Sequence, residues 1–133
     1  MAENIRILLA DDHPVLRSGL EALLWLEDGL QVVGQASTGE EAVEKARLLR
    51  PDVVVMDLSM PGIGGIEATK QIGELGLGAR VLVLTSQAEE DVLRAYHLNA
   101  NCYITKPVDL DQFMKVVKTI EDFWLTIVKL PSE

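Results

Sequence analysis

Apolar residues in this chain gather into five short runs, Ile5 to Ala10, Gln31 to Gln35, Asp52 to Asp57, Arg80 to Thr85 and Asn101 to Thr105, with longer mixed stretches between them. Four of the runs lack clear polar alternation, which marks strands buried on both faces, as in a parallel sheet. In the intervening stretches the spacing changes. Leu16, Leu20, Leu23 and Leu24, and then Ala42, Val43, Ala46 and Leu49, each line one side of a helix. Local signals agree with that alternation. Pro14 suits a first helical turn. Thr38-Gly39-Glu40-Glu41 is a capping-box pattern, in which Thr38 and Glu41 satisfy each other's free backbone donors, and Pro51 closes the helix that follows. Gly62, Gly64 and Gly65 make a flexible loop between the third strand and the next helix. The pattern predicts five βα units with right-handed crossovers, an α/β doubly wound parallel sheet.

Sheets of this class bind ligands beyond the carboxyl ends of their strands, so residues at those ends belong together. Asp11 and Asp12 follow the first strand, Asp57 ends the third, Thr85 ends the fourth and Lys106 follows the fifth. Three carboxylates crowded at one point repel one another, and a hard divalent cation with oxygen ligands relieves the repulsion. Mg²⁺ fits such a site because it keeps several waters and shares its remaining positions with phosphate oxygens. Lys106 adds a compact positive charge and Thr85 a hydroxyl donor, a set suited to a phosphoryl group. Asp57 is then a nucleophile held at a strand end, since an aspartyl carboxylate can accept phosphate covalently. Taken singly, each acid reads equally well as a turn residue and Lys106 as a solvated loop charge. Only the set, in this order, points to phosphoryl chemistry.

The segments Leu9-Ala10-Asp11-Asp12-His13-Pro14, Val55-Met56-Asp57-Leu58-Ser59-Met60-Pro61-Gly62, Leu84-Thr85-Ser86 and Tyr103-Ile104-Thr105-Lys106-Pro107 resemble, in order and spacing, the receiver domains of two-component response regulators. The resemblance covers nearly the whole chain and implies a flavodoxin-like strand order, 2-1-3-4-5. It makes Asp57 the phosphoacceptor and Asp12 a direct ligand of Mg²⁺, with Asp11 acting partly through water and the Ser59 backbone carbonyl as a further ligand. Lys106 is then the partner of the phosphoryl oxygens, Thr85 the switch hydroxyl, Tyr103 the aromatic that turns inward with it, and Lys106-Pro107 a cis peptide. A sensor histidine kinase is the implied phosphoryl donor, the face of helix 4, strand 5 and helix 5 the implied output, and self-phosphorylation and autodephosphorylation of Asp57 the most enzymatic activity implied. Residues up to about Gln71 are similar to receivers of nitrate-response-type DNA-binding regulators. Those from about Val81 to Pro131 are similar to stand-alone receivers of phytochrome-type kinases, as in a chimera of the two.

Other residues have plainer readings. His13 points into a helix start and His97 lies near a helix end, neither with a partner at metal-ligand spacing, so both read as non-catalytic. Met56 and Met60 read as core or loop packing, and the single Cys102 as a packed small side chain. A phosphatase of the haloacid-dehalogenase type also uses an aspartyl nucleophile and Mg²⁺, but its nucleophile lies in Asp-x-Asp after the first strand, whereas here the acids are adjacent. Nicotinamide and nucleotide enzymes are disfavoured, because no Gly-x-Gly-x-x-Gly turn or Gly-x-x-x-x-Gly-Lys loop follows a strand. A scaffold with an inherited, unused pocket is the remaining rival.

With 133 residues and 48% apolar content, the chain can bury one core and reads as a single domain over 1–133. A net charge of −9 argues against direct nucleic-acid contact. No run approaches the roughly 20 apolar residues that cross a bilayer, and the start lacks a signal core, so a cytoplasmic protein without membrane contact is expected. The last helix is expected from about Asp109, presenting Phe113, Val116, Val117, Ile120, Trp124 and Ile127. This tail, to about Pro131, exceeds what one sheet needs to be covered, and it is expected to be followed by no polar linker or output domain. A homodimer through the last helix and tail, with Tyr103 near the interface, is the expected consequence.

Overall fold

The computed structural model describes residues 5–85 and 102–105, together with Gln112, Met114, Lys115 and Lys118. In chain order the elements are β1 (Ile5–Ala10), α1 (Pro14–Trp25), β2 (Leu30–Ala36), α2 (Gly39–Leu49), β3 (Val53–Asp57), α3 (Gly64–Glu74), β4 (Arg80–Thr85) and β5 (Cys102–Thr105). The strands form one parallel sheet in the order β2-β1-β3-β4-β5, the α/β architecture that the apolar runs predicted. Gln112, Met114, Lys115 and Lys118 are helical, within the stretch expected to hold the last helix; the rest of that helix and the tail lie outside the described residues.

Two-residue periodicity divides each central strand between two cores. Leu8 and Ala10 of β1, Val54 and Met56 of β3, and Val81 and Val83 of β4 pack with Ala42 and Ala46 of α2 and Ala68 and Ile72 of α3. Ile7 and Leu9, Val53 and Val55, and Leu82 and Leu84 face the other way, against Leu20 and Leu24 of α1. Burial on both faces explains the unbroken apolar runs. At the sheet edge β2 is only half-buried along its middle, and its register slips by one residue, Ile7 pairing with Val32 and Leu8 with Gly34. Met56 and Met60 belong to the first of these cores, as their packing reading had it.

Helix α2 starts as the capping pattern predicted, with one difference. Thr38 Oγ1 accepts from the Glu41 backbone N–H at 3.1 Å. The Glu41 carboxylate, however, accepts from the Ser37 N–H at 2.8 Å and the Ser37 hydroxyl at 3.2 Å, one residue before the expected donor. Bonding to the Ser37 N–H, more than the neighbouring Lys45, holds the Glu41 carboxyl below its usual value, against the opposing effect of burial. The stabilisation is therefore present above the unfolded value of 4.5 and fades as pH falls through the lower folded value. At a side chain 40% exposed, solvent screening reduces it to about 0.5 kcal/mol. Glu41→Gln should cost that amount in urea denaturation at pH 7, and progressively less as the pH is lowered below 4.5. The helix ends at Arg50, whose left-handed φ of 50° turns the chain before Pro51.

Candidate functional site

Because every strand runs the same way, the residues that follow β1 and end β3 lie on one edge of the sheet. Strand order makes them close neighbours: β1 pairs directly with β3, with Ala10 opposite Met56, so Asp11 and Asp57 come next in register. Asp57 is fully buried and Asp11 nearly so, while Asp12 is half-buried. One ligand atom from each of Asp11, Asp12, His13 and Asp57 lies within 4.8 Å of all the others.

Local bonds set the direction of each carboxylate. Asp57 Oδ1 accepts from the Ser59 N–H at 3.0 Å and the Ser59 hydroxyl at 2.9 Å, a tight turn that leaves Oδ2 aimed at the cluster. Asp11 Oδ1 accepts from the His13 N–H at 2.6 Å, and the Asp11 N–H is tied to the Ala36 carbonyl at 2.9 Å. Arg17 donates to the Asp11 carbonyl at 2.6 Å, fixing the turn from the helix side. These bonds keep like charges close, which isolated side chains would resist.

His13 corrects the sequence reading. Its backbone is extended as the N-cap of α1, just before Pro14, but its ring does not leave the acids. Nδ1 stands 3.1 Å from Asp11 Oδ1, 3.2 Å from Asp12 Oδ1 and 3.5 Å from Asp57 Oδ2. Only the adjacency of His13 to the acidic pair could have signalled this, because the ring's direction depends on the backbone bend at the cap.

The remaining predicted residues are less fully placed. Thr85 is the last residue of β4 and pairs in register with Thr105, on the same edge as Asp57. Tyr103 lies in β5 opposite Val83, as a backbone position only. Ser59 touches Asp57 through its N–H and hydroxyl, contacts that its expected role as a carbonyl ligand did not include. Lys106, the Lys106-Pro107 peptide and His97 lie outside the described residues.

The donor set of three carboxylates and one imidazole suits a divalent cation, and the charge crowding gives such an ion a physical role. Residues 7–118 match the family model described as the response regulator receiver domain. The chain belongs to that family. GacA of Pseudomonas viridiflava is 43% identical over 118 residues, covering 87% of this chain and 55% of the relative. NarL of Escherichia coli K12, a nitrate/nitrite response regulator, is 39% identical over 116 residues, covering 86% and 54%. The receiver thus spans about half the length of the curated relatives it matches. Among solved structures, the response regulator domain of Thermotoga maritima CheB superposes with a TM-score of 0.82 at 34% identity, covering 98% of this chain and 100% of that one. The phosphorylated cyanobacterial phytochrome response regulator RcpA gives 0.80 at 33%, covering 97% and 99%. A Mn²⁺-bound form of response regulator Rcp1 gives 0.77 at 30%, covering 96% and 99%.

Family membership leaves the haloacid-dehalogenase alternative without support. The expectation of no nucleic-acid contact is not supported either. The curated relatives are nearly twice as long as the stretch they share with this chain. An acidic balance describes the surface of these 133 residues and does not reach the other half of such relatives. Among the described residues, no helix is long and apolar enough to cross a membrane.

Proposed function

We propose that this receiver takes a phosphoryl group from the phosphohistidine of a sensor kinase onto Asp57. The single observation that carries the reading is the Asp57 carboxylate itself: fully buried at a strand end, with Oδ1 pinned by Ser59 and Oδ2 turned toward Asp11 and Asp12. A carboxylate oxygen of Asp57 forms the new bond to phosphorus as the P–N bond of the donor breaks, and the departing imidazole keeps the electron pair. Pinning Oδ1 spares the attacking oxygen a search over orientations, a positioning contribution to the rate.

Asp11, Asp12, Asp57 and the Ser59 carbonyl would hold Mg²⁺, consistent with a carboxylate-rich donor set and with the Mn²⁺-bound Rcp1 neighbour. When bound, the ion neutralises charge on the phosphoryl oxygens. Lys106 is assigned to those oxygens, and Thr85 and Tyr103 to the switch that carries the event to the face of helix 4, strand 5 and helix 5. The same face, with the last helix and tail, is assigned to a homodimer.

Incubation with Mg²⁺ and acetyl phosphate is expected to add one phosphoryl group by intact mass, and none to Asp57→Asn. No adduct on the unsubstituted protein would leave an inherited, unused pocket as the better description. An adduct persisting in Asp57→Asn would move the acceptor elsewhere.

A further inference from the structure

Three of the four donors gathered at the strand ends are accounted for by the reading above; the fourth, His13 Nδ1, is not. It does not lie at the rim. It stands 3.1, 3.2 and 3.5 Å from one oxygen of each of Asp11, Asp12 and Asp57. Neighbouring ligands on an octahedral ion with bonds of about 2.1 Å are separated by about 3.0 Å, so these spacings are those of donors sharing one ion to within about half an ångström. The ring is also anchored on its backbone side, since the His13 N–H is bonded to Asp11 Oδ1 at 2.6 Å and Pro14 follows as the first helical residue. Its side chain is 57% exposed, and Nδ1 lies within hydrogen-bond distance of Asp11 Oδ1, a contact that a bound ion would replace, with the ring proton then on the far nitrogen.

We propose that His13 is a metal ligand through Nδ1, and that it shifts the cation preference of this receiver from Mg²⁺ toward borderline divalent ions such as Mn²⁺ and Co²⁺. The inference rests on the cation site of the proposed function and adds to it a nitrogen donor. Mg²⁺ gains little from imidazole and prefers oxygen, whereas affinity for nitrogen rises along the first-row series. A site of carboxylates alone holds all these ions through charge; one with an inward imidazole separates them. The proposed ligand set is therefore His13 together with the acids and the Ser59 carbonyl.

Calorimetric titration of the metal-free protein with Mg²⁺, Mn²⁺ and Co²⁺, for the unsubstituted chain and for His13→Ala, tests this directly. Removing the imidazole is expected to weaken Co²⁺ by about tenfold or more, Mn²⁺ by less, and Mg²⁺ by under about threefold. The visible absorption of bound Co²⁺ should shift with loss of the nitrogen ligand. Should His13→Ala fail to fold by circular dichroism, His13→Gln supplies the same comparison. Equal losses for all three ions, or an unchanged Co²⁺ spectrum, would overturn the assignment while leaving the acidic site intact. Tighter Mg²⁺ binding in His13→Ala would also overturn it, by showing that the ring competes with the ion. If neither protein takes up any divalent ion, the cation site itself is wrong, and the reading of Asp57 as an ion-dependent acceptor falls with it.

Discussion

Gly65→Ala is expected to lower stability by about 2–3 kcal/mol although it adds one methyl group and changes no charge. A Cβ at this position would stand 2.3 Å from the Asp57 carbonyl oxygen and 2.6 Å from the Leu58 Cα. Both neighbours are backbone, so no side chain can swing away to make room. Gly65 N–H also donates to the Leu58 carbonyl at 3.3 Å, which ties the start of α3 to the turn after β3. Relief of the clash must push α3 off the sheet or displace residues 57–58, and the second outcome misplaces the carboxylate proposed as the acceptor. Urea denaturation gives the stability change and acetyl phosphate labelling the functional one. Leu48→Ala, at a side chain 63% exposed, serves as the control and should move stability by less than about 0.5 kcal/mol. An unfolding midpoint for Gly65→Ala equal to that of the unsubstituted protein would contradict the close approach.

Leu8→Ala is expected to cost still more, about 3–4 kcal/mol, from the lost transfer of a buried side chain plus the cavity left behind. Leu8 is fully buried in β1, between β2 and β3, and packs in the core that α2 and α3 cover. The neighbours cannot collapse into the gap easily, because the strands on either side are held by ladder hydrogen bonds. Against a total of about 5–15 kcal/mol for an ordinary domain, such a loss is a large share. Asp11 and Asp12 hang from the end of the same strand, so loosening β1 should also slow phosphoryl uptake. Val15→Ala, on an 84% exposed side chain, should be close to neutral in the same denaturation experiment.

The two predictions separate what is legible in residue order from what is not. Leu8 reads as core from the sequence, since it sits mid-run between Ile7 and Leu9 and two-sided burial leaves no polar gap. Gly65 reads only as loop flexibility. Its actual constraint is an approach to backbone eight residues earlier, which depends on how α3 returns to the sheet. The capping box shows the same divide: Thr38 and Glu41 mark the helix start, yet the second bond of the pair goes to Ser37, a choice made by side-chain geometry within one turn.

By itself, the sequence determined the number and type of the described strands and helices, the two-faced core, and the placing of Asp11, Asp12, Asp57 and Thr85 at strand ends. Hydrophobic period and cap chemistry act over a few residues and need no knowledge of the rest of the chain. The family resemblance already placed β1 beside β3; only tertiary structure decided that Ala10 stands opposite Met56, that Ser59 holds Asp57 by Oδ1, and that the His13 ring turns in among three carboxylates. Those are distances between atoms far apart in sequence or around a single bent residue. They follow from strand order, register and rotamer, which periodicity does not encode.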